Sequence, residues 1–149
     1  MVREMPEASI GVLVAGHGRF AGGLVEAVEL ILGPQEGLRA VDFTAGDTAT
    51  ELKDGIDAAL ADLAGFESVA VFCDLRGGSP FNVSRAAASS RDDVDIYYGA
   101  NLPMLIDFVS KRNLGVAPRL LRSAAVDEGR SNLDCFDASA VEAHEDDWA

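Results

Sequence analysis

A histidine between two glycines, Gly16-His17-Gly18, directly follows the apolar run Ile10-Gly11-Val12-Leu13-Val14-Ala15. An imidazole held there can act as a nucleophile, a base or a metal ligand. A second loop, Asp74-Leu75-Arg76-Gly77-Gly78-Ser79-Pro80-Phe81-Asn82, supplies a carboxylate, a cation, a glycine pair and a hydroxyl at a helix start. A third, Gly99-Ala100-Asn101-Leu102-Pro103-Met104, supplies an amide side chain. Asp74 can accept a hydrogen bond from one ring nitrogen of His17, fixing the tautomer and presenting the other nitrogen as a nucleophile. Gly77, Gly78 and Ser79 can aim backbone N–H groups at an anion beside a helix N-terminus, where the helix dipole adds partial positive charge. A histidine nucleophile beside an anion nest suits phosphoryl transfer, in which positioning and charge stabilisation do most of the work.

Each feature has an ordinary explanation when taken singly. A histidine at a strand end is often a hydrogen-bonded structural residue, Asp74 can cap the following segment, and Gly77-Gly78-Ser79-Pro80 can be a plain turn. Their conjunction at equivalent ends of three strands is harder to explain by turn chemistry. His144 lies in an acidic stretch and is read as solvated and without function.

The elements that must position these loops are legible in the apolar pattern. Strands are expected at Ile10 to Ala15, Leu38 to Phe43, Val69 to Cys73 and Val94 to Tyr98, as short β-branched runs bounded by turn residues. Leu24, Val28, Ile31 and Leu32 repeat at helical spacing, stopped by Gly33-Pro34. Leu52, Ile56, Ala59, Leu60 and Leu63 make a second stripe, opened by a capping box of Thr48 and Glu51 and closed by Gly65. Helices are also expected after Ser79-Pro80, from Leu102-Pro103, and over Ala117 to Val126, with a turn at Asp127-Glu128-Gly129-Arg130. Leu133 to Phe136 reads as a short last strand. Alternating strands and helices predict an α/β fold: a mainly parallel sheet of about four strands with helices on both faces. The reading is one domain over residues 1–137, followed by a mobile acidic tail over 138–149.

Composition narrows the function. The chain of 149 residues carries 25 acidic against 12 basic residues, a net charge of -13. Nucleic acid, which needs clustered positive charge, is an unlikely partner on that balance. No stretch has the length of a signal-peptide core or a membrane span, so a cytoplasmic location without membrane insertion is expected. Cys73 and Cys135 are read as two reduced, buried thiols. No Walker-type loop or cluster of metal ligands is present, so no cofactor or metal is expected. A metal-dependent hydrolase would need more than one histidine in the site, and only His17 is available there.

Gly16-His17-Gly18 with Phe20-Ala21 and Gly23-Leu24, then Asp74 with Gly77-Gly78-Ser79-Pro80-Phe81-Asn82, then Gly99 with Asn101-Leu102-Pro103-Met104, resembles the enzyme IIA domain of the mannose family of the bacterial phosphotransferase system. The resemblance covers about residues 9 to 113. It implies a phosphocarrier in which the residue matching His17 takes a phosphoryl group from the carrier protein HPr and passes it to a IIB partner, for uptake and phosphorylation of a sugar by a membrane transporter. It implies that Asp74 orients the imidazole, that Ser79 helps to hold the phosphoryl group, and that the protein is a homodimer, with the last strand exchanged between subunits in some relatives. Arg76 stands where the family often has a bulky apolar or aromatic residue, which makes it, with Asn101, a candidate modulator. The segment after Asn113 matches weakly. No IIB region follows, which suggests a stand-alone IIA. Two rivals are the phosphotransferase subunit that serves dihydroxyacetone kinases and a non-catalytic regulator of the same fold.

Overall fold

The computed structural model describes residues 10–139 together with His144 and Trp148. The elements run β1 (Ile10–His17), α1 (Phe20–Leu32), β2 (Leu38–Phe43), α2 (Ala49–Asp62), β3 (Ser68–Cys73), α3 (Ser79–Ala87), β4 (Val94–Tyr97), α4 (Leu102–Asn113) and α5 (Pro118–Ser131). The four strands form one parallel sheet in the order β2-β1-β3-β4. Helices cover both faces, as the alternating pattern predicts. On one face Val12, Val14, Phe72 and Tyr97 meet α1, α4 and α5 through Val28, Phe108, Leu105 and Leu121. On the other, Leu13, Ala15, Val71 and Cys73 meet α2 through Leu52, Ile56 and Leu60, with Phe81 and Val83 of α3 against them. Residues 10–16 of β1 are buried, because a parallel strand in the sheet interior packs on both sides.

The chain leaves β1 toward β2 and then crosses to β3 on the other side. The strand order therefore reverses between β1 and β3, and the crevice at their carboxyl ends is where open α/β sheets gather ligands. The loops after β1 and β3 carry His17 and Asp74.

The start of α2 has the expected box: Thr48 accepts from the Glu51 N–H at 3.1 Å while the Glu51 carboxylate accepts from the Thr48 N–H at 3.1 Å. At the far end of the sheet, the buried Arg112 guanidinium of α4 donates to the carbonyls of Ile10 (3.1 Å) and Gly37 (3.3 Å) and to the Gln35 side chain (3.2 Å). Burial holds its pKa below the usual arginine value, an effect that nearby Glu36 opposes. These bonds replace the water that a buried cation loses and pin α4 to the amino ends of β1 and β2.

Several expectations are corrected. Leu133 to Phe136 form no strand and join no ladder with β1 to β4, and Leu133 and Phe136 are 71% and 78% exposed. Asp127 to Arg130 are not a turn but the last part of α5. Gly129 is there to let α5 approach α4, since a methyl at that position would lie 3.2 Å from the Met104 Cβ and 3.3 Å from the Asn101 amide nitrogen. Gly65 does not close α2, which ends with Leu63 as its C-cap. Ile31 is exposed, because the buried face of α1 runs through Ala21, Leu24, Val25, Val28 and Leu32. The expected tail falls almost wholly outside the described residues.

Cys73 is buried as expected and Cys135 is exposed; both are free thiols. Burial pushes the Cys73 thiol up to about 11, with the charge of Asp74 adding to it and the Ser84 hydroxyl opposing. Thiolate is the reactive form, so at pH 8 a thiol reagent should modify Cys73 only after unfolding. Following modification of Cys135→Ser checks this: no fast-reacting thiol is expected in the native variant and one after unfolding.

Candidate functional site

His17 is the last residue of β1 and the first exposed residue after a buried run. Its ring Nδ1 lies 2.9 Å from Asp74 Oδ2, and its backbone N–H donates to the same oxygen at 2.8 Å. One carboxylate oxygen thus fixes both the backbone and the ring of His17. Because an ionised carboxylate only accepts, Nδ1 carries the proton and Nε2 keeps its lone pair. The side chain is 46% exposed and that of Asp74 only 15%, so the orienting group is sheltered while the imidazole faces solvent.

Burial works against the ionised form of Asp74, but the backbone N–H and ring of His17 together outweigh it, with a weaker pull from the Leu75 N–H. The carboxyl is held below its ordinary value and is ionised at neutral pH. The other oxygen, Oδ1, is buried without a hydrogen-bond partner.

Glycines shape the walls of the site by close approach. A methyl on Gly16 would sit 2.6 Å from the Phe20 ring and 3.2 Å from the Asp74 carboxyl. A methyl on Gly78 would sit 2.6 Å from Cε1 of the His17 ring. Gly18 and Gly77 have φ of 58° and 81°, the left-handed turns that lead out of β1 and into α3 and that disfavour a side chain. Gly78 is the N-cap of α3, so the imidazole lies against the amino end of that helix, with Ser79 as its first residue and Pro80 in its first turn. The first N–H groups of a helix have no acceptor within it; the Gly78 N–H donates to the Leu75 carbonyl at 3.3 Å, and Pro80 carries none.

Gly78 has an ordinary extended backbone, φ -73° and ψ 166°, so Gly78→Ala strains no dihedral. The added methyl can be relieved only by displacing the His17 ring. The variant should melt within a few degrees of the parent yet lower the reactivity of the His17 imidazole by roughly tenfold or more, as expected when a reacting group is misplaced by about 1 Å. Thermal melts paired with rates of His17 modification by an acylating reagent check this.

Not every expected residue joins the site. The side chain of Asn101 caps α4 by accepting from the Met104 N–H at 3.0 Å and donates to the Gly129 carbonyl at 3.2 Å. Its amide serves the α4–α5 contact and makes no hydrogen bond to His17. Arg76 is exposed, with its guanidinium 5.4 Å over the Tyr98 ring; Tyr98 in turn meets Phe81 edge-on at 5.8 Å.

Sequence reasoning missed Asp42 and Phe43 as neighbours of the site and gave Phe20 only as part of the motif that follows His17. Asp42, on β2, accepts from the Gly22 N–H at 2.9 Å and anchors the first turn of α1, whose own N-cap Arg19 makes no side-chain bond. Phe20 roofs Gly16, and the Phe43 ring lies 6.1 Å from that of His17. Only the acidic residue within an otherwise apolar strand end hinted at Asp42, and Phe43 read only as the end of that strand.

Comparison with known proteins agrees with this geometry. Residues 11–123 match the family described as PTS system fructose IIA component, EIIA-man. The chain is 31% identical over 134 residues to the PTS system mannose-specific EIIAB component of Escherichia coli, which covers 90% of this chain; the chain spans only 42% of that relative's length. It is 32% identical over 103 residues to the PTS system fructose-specific EIIA component of Bacillus subtilis, covering 69% of this chain and 70% of that one. The phosphotransferase system component EIIA from Streptococcus agalactiae superposes with a TM-score of 0.74 at 29% identity, over 89% of this chain and 99% of that chain.

Proposed function

This chain belongs to the PTS system fructose IIA component family, EIIA-man, and from that premise we propose that it is a phosphohistidine relay whose acceptor is Nε2 of His17. The carrying observation is the 2.9 Å bond from His17 Nδ1 to Asp74, which leaves the lone pair on the exposed nitrogen. The donor is HPr carrying phosphohistidine, and the next acceptor is a IIB protein of a mannose-family sugar transporter. In the first step the Nε2 lone pair of His17 forms a bond to phosphorus while the bond from phosphorus to the donor imidazole breaks, its electron pair returning to the donor ring. The His17 ring gains positive character, which Asp74 offsets through the Nδ1 proton. Gly77, Gly78 and Ser79 at the start of α3 hold the phosphoryl oxygens. The second step reverses this chemistry toward IIB.

The relay works in the cytoplasm. Among the described residues no helix is long and apolar enough to cross a membrane. The test is direct. After incubation with phosphoenolpyruvate, enzyme I and HPr, in the presence of a chelator once HPr is phosphorylated, the protein should carry one acid-labile, base-stable phosphoryl group. An acid-stable ester, or loss of transfer to chelator, would overturn the reading.

The protein acts as a homodimer through the edge of its sheet. The outer side of β4 is unpaired within the chain, and beside it runs a groove of about 560 Å3 lined by Tyr97, Tyr98, Met104, Val126 and Leu133. The exposed Leu133 to Phe136 of a second copy supplies the strand and apolar side chains this edge lacks. Truncation after Ala138 should preserve dimer mass in light scattering, whereas truncation before Asn132 should give monomers or aggregates. A monomeric full-length protein would contradict the arrangement.

A further inference from the structure

We propose that Arg19 and Arg76 form a cationic rim around His17 that captures the incoming phosphoryl anion, an inference that rests on the relay reading. The chain carries a net charge of -13, so an arriving phosphoryl group meets a repulsive field unless the site itself is locally positive. Among the described residues five cations are held in ion pairs with carboxylates: Arg39, Lys53, Arg91, Lys111 and Arg122. Arg112 is spent on backbone carbonyls. Arg19 and Arg76 are exposed and in no ion pair, and they sit in the two loops that carry the reacting pair. Arg19 is two residues beyond His17 and is the N-cap of α1. Arg76 lies between Asp74 and Gly78, whose Cα borders the imidazole. The remaining exposed arginines outside ion pairs, Arg85, Arg119 and Arg130, are placed within α3 and α5 rather than in these loops.

Two carboxylates in or beside these loops are already engaged in hydrogen bonds. Asp74 is bonded to His17, and Asp42 to the Gly22 N–H. The Arg76 guanidinium lies 5.4 Å over the Tyr98 ring, and a cation over an aromatic face is held without being neutralised. Neither arginine makes or breaks a bond. Their role is to raise the local concentration of a phosphoryl anion and to orient it toward Nε2, so they act on the encounter rather than on the first-order transfer step. Arginine suits this task because its planar fork donates to two phosphoryl oxygens at once.

The test compares the parent with R19Q, R76Q and R19Q/R76Q, using radiolabelled HPr phosphorylated on its histidine and, separately, phosphoramidate as a small anionic phosphoryl donor. The double variant should show a second-order rate constant lower by roughly tenfold to a hundredfold at low ionic strength, with both donors. The deficit should shrink as salt approaches about 1 M, where screening shortens to roughly 3 Å. The first-order rate at saturating phospho-HPr should stay within about twofold, and R19K/R76K should recover most of the loss. Parent-like rates at low salt, a deficit unchanged by salt, or an effect confined to the protein donor would each overturn the rim. Failure of the unaltered protein to accept a phosphoryl group at all would instead bring down the relay reading beneath it.

Discussion

His17→Ala should abolish acid-labile phosphorylation, with residual incorporation at least about a hundredfold below the parent, because removing a covalent nucleophile leaves only binding and charge stabilisation. The chain contains two histidines, so the experiment has little room for substitution among sites. His17 is half exposed and ends a strand whose register is set by residues 10–15. The variant should therefore keep its fold, with a near-unchanged circular dichroism spectrum and melting temperature. Retained labelling at the parent level would assign the phosphoryl group to another residue. A collapsed fold would make His17 structural, and His17→Gln, which keeps a polar side chain of similar reach, would separate that outcome from loss of chemistry.

The architecture behind that prediction was largely readable from residue pattern, for reasons visible at particular positions. Buried parallel strands require apolar residues on both faces, so Ile10 to Ala15 and Val69 to Cys73 announced themselves. The stripe Leu52, Ile56, Ala59, Leu60 and Leu63 is wholly buried in the structure, and the Thr48–Glu51 box closes as its spacing requires. The meeting of His17 with Asp74 followed from topology, because both stand at carboxyl ends of strands on either side of the point where strand order reverses.

What was not readable depended on contacts distant in sequence. Asn101 looks like a site amide by its place in a strand-end loop, but its bonds are decided by Met104 and Gly129. Gly129 looks like a turn residue because glycine breaks helices; it is helical because the α4–α5 packing needs the space. Leu133 to Phe136 carries strand-like residues, yet a strand is defined by its ladder, and these residues make none with β1 to β4. Asp42 could be recognised only once β2 was known to lie beside the start of α1.

Asp74→Ala should leave the protein folded but slow phosphoryl transfer by on the order of tenfold to a thousandfold, the range for residues that orient a catalytic histidine or stabilise charge on it. The substitution removes the acceptor for Nδ1–H and for the His17 N–H together. The ring then samples both tautomers and other rotamers, and the positive character that develops on phosphorylation has no counter-charge. Asp74→Asn is the sharper variant. Because the same oxygen accepts from the His17 backbone N–H, the carboxamide oxygen takes its place and keeps the proton on Nδ1, but it supplies no counter-charge to the phosphorylated ring, so the variant should keep the ring's orientation and lose less than the alanine variant. The pH dependence of folding gives an independent check. The Asp74 carboxyl titrates below its ordinary value in the folded protein, so it contributes stability that is present above the usual carboxylate range, near pH 4, and lost as pH falls through the lowered value. Asp74→Ala should lack this part of the acid-induced loss, and its stability should fall less steeply than the parent's below about pH 4. Transfer at the parent rate, together with an unchanged acid profile, would reduce Asp74 to a turn residue and remove the basis for assigning Nε2 as the acceptor.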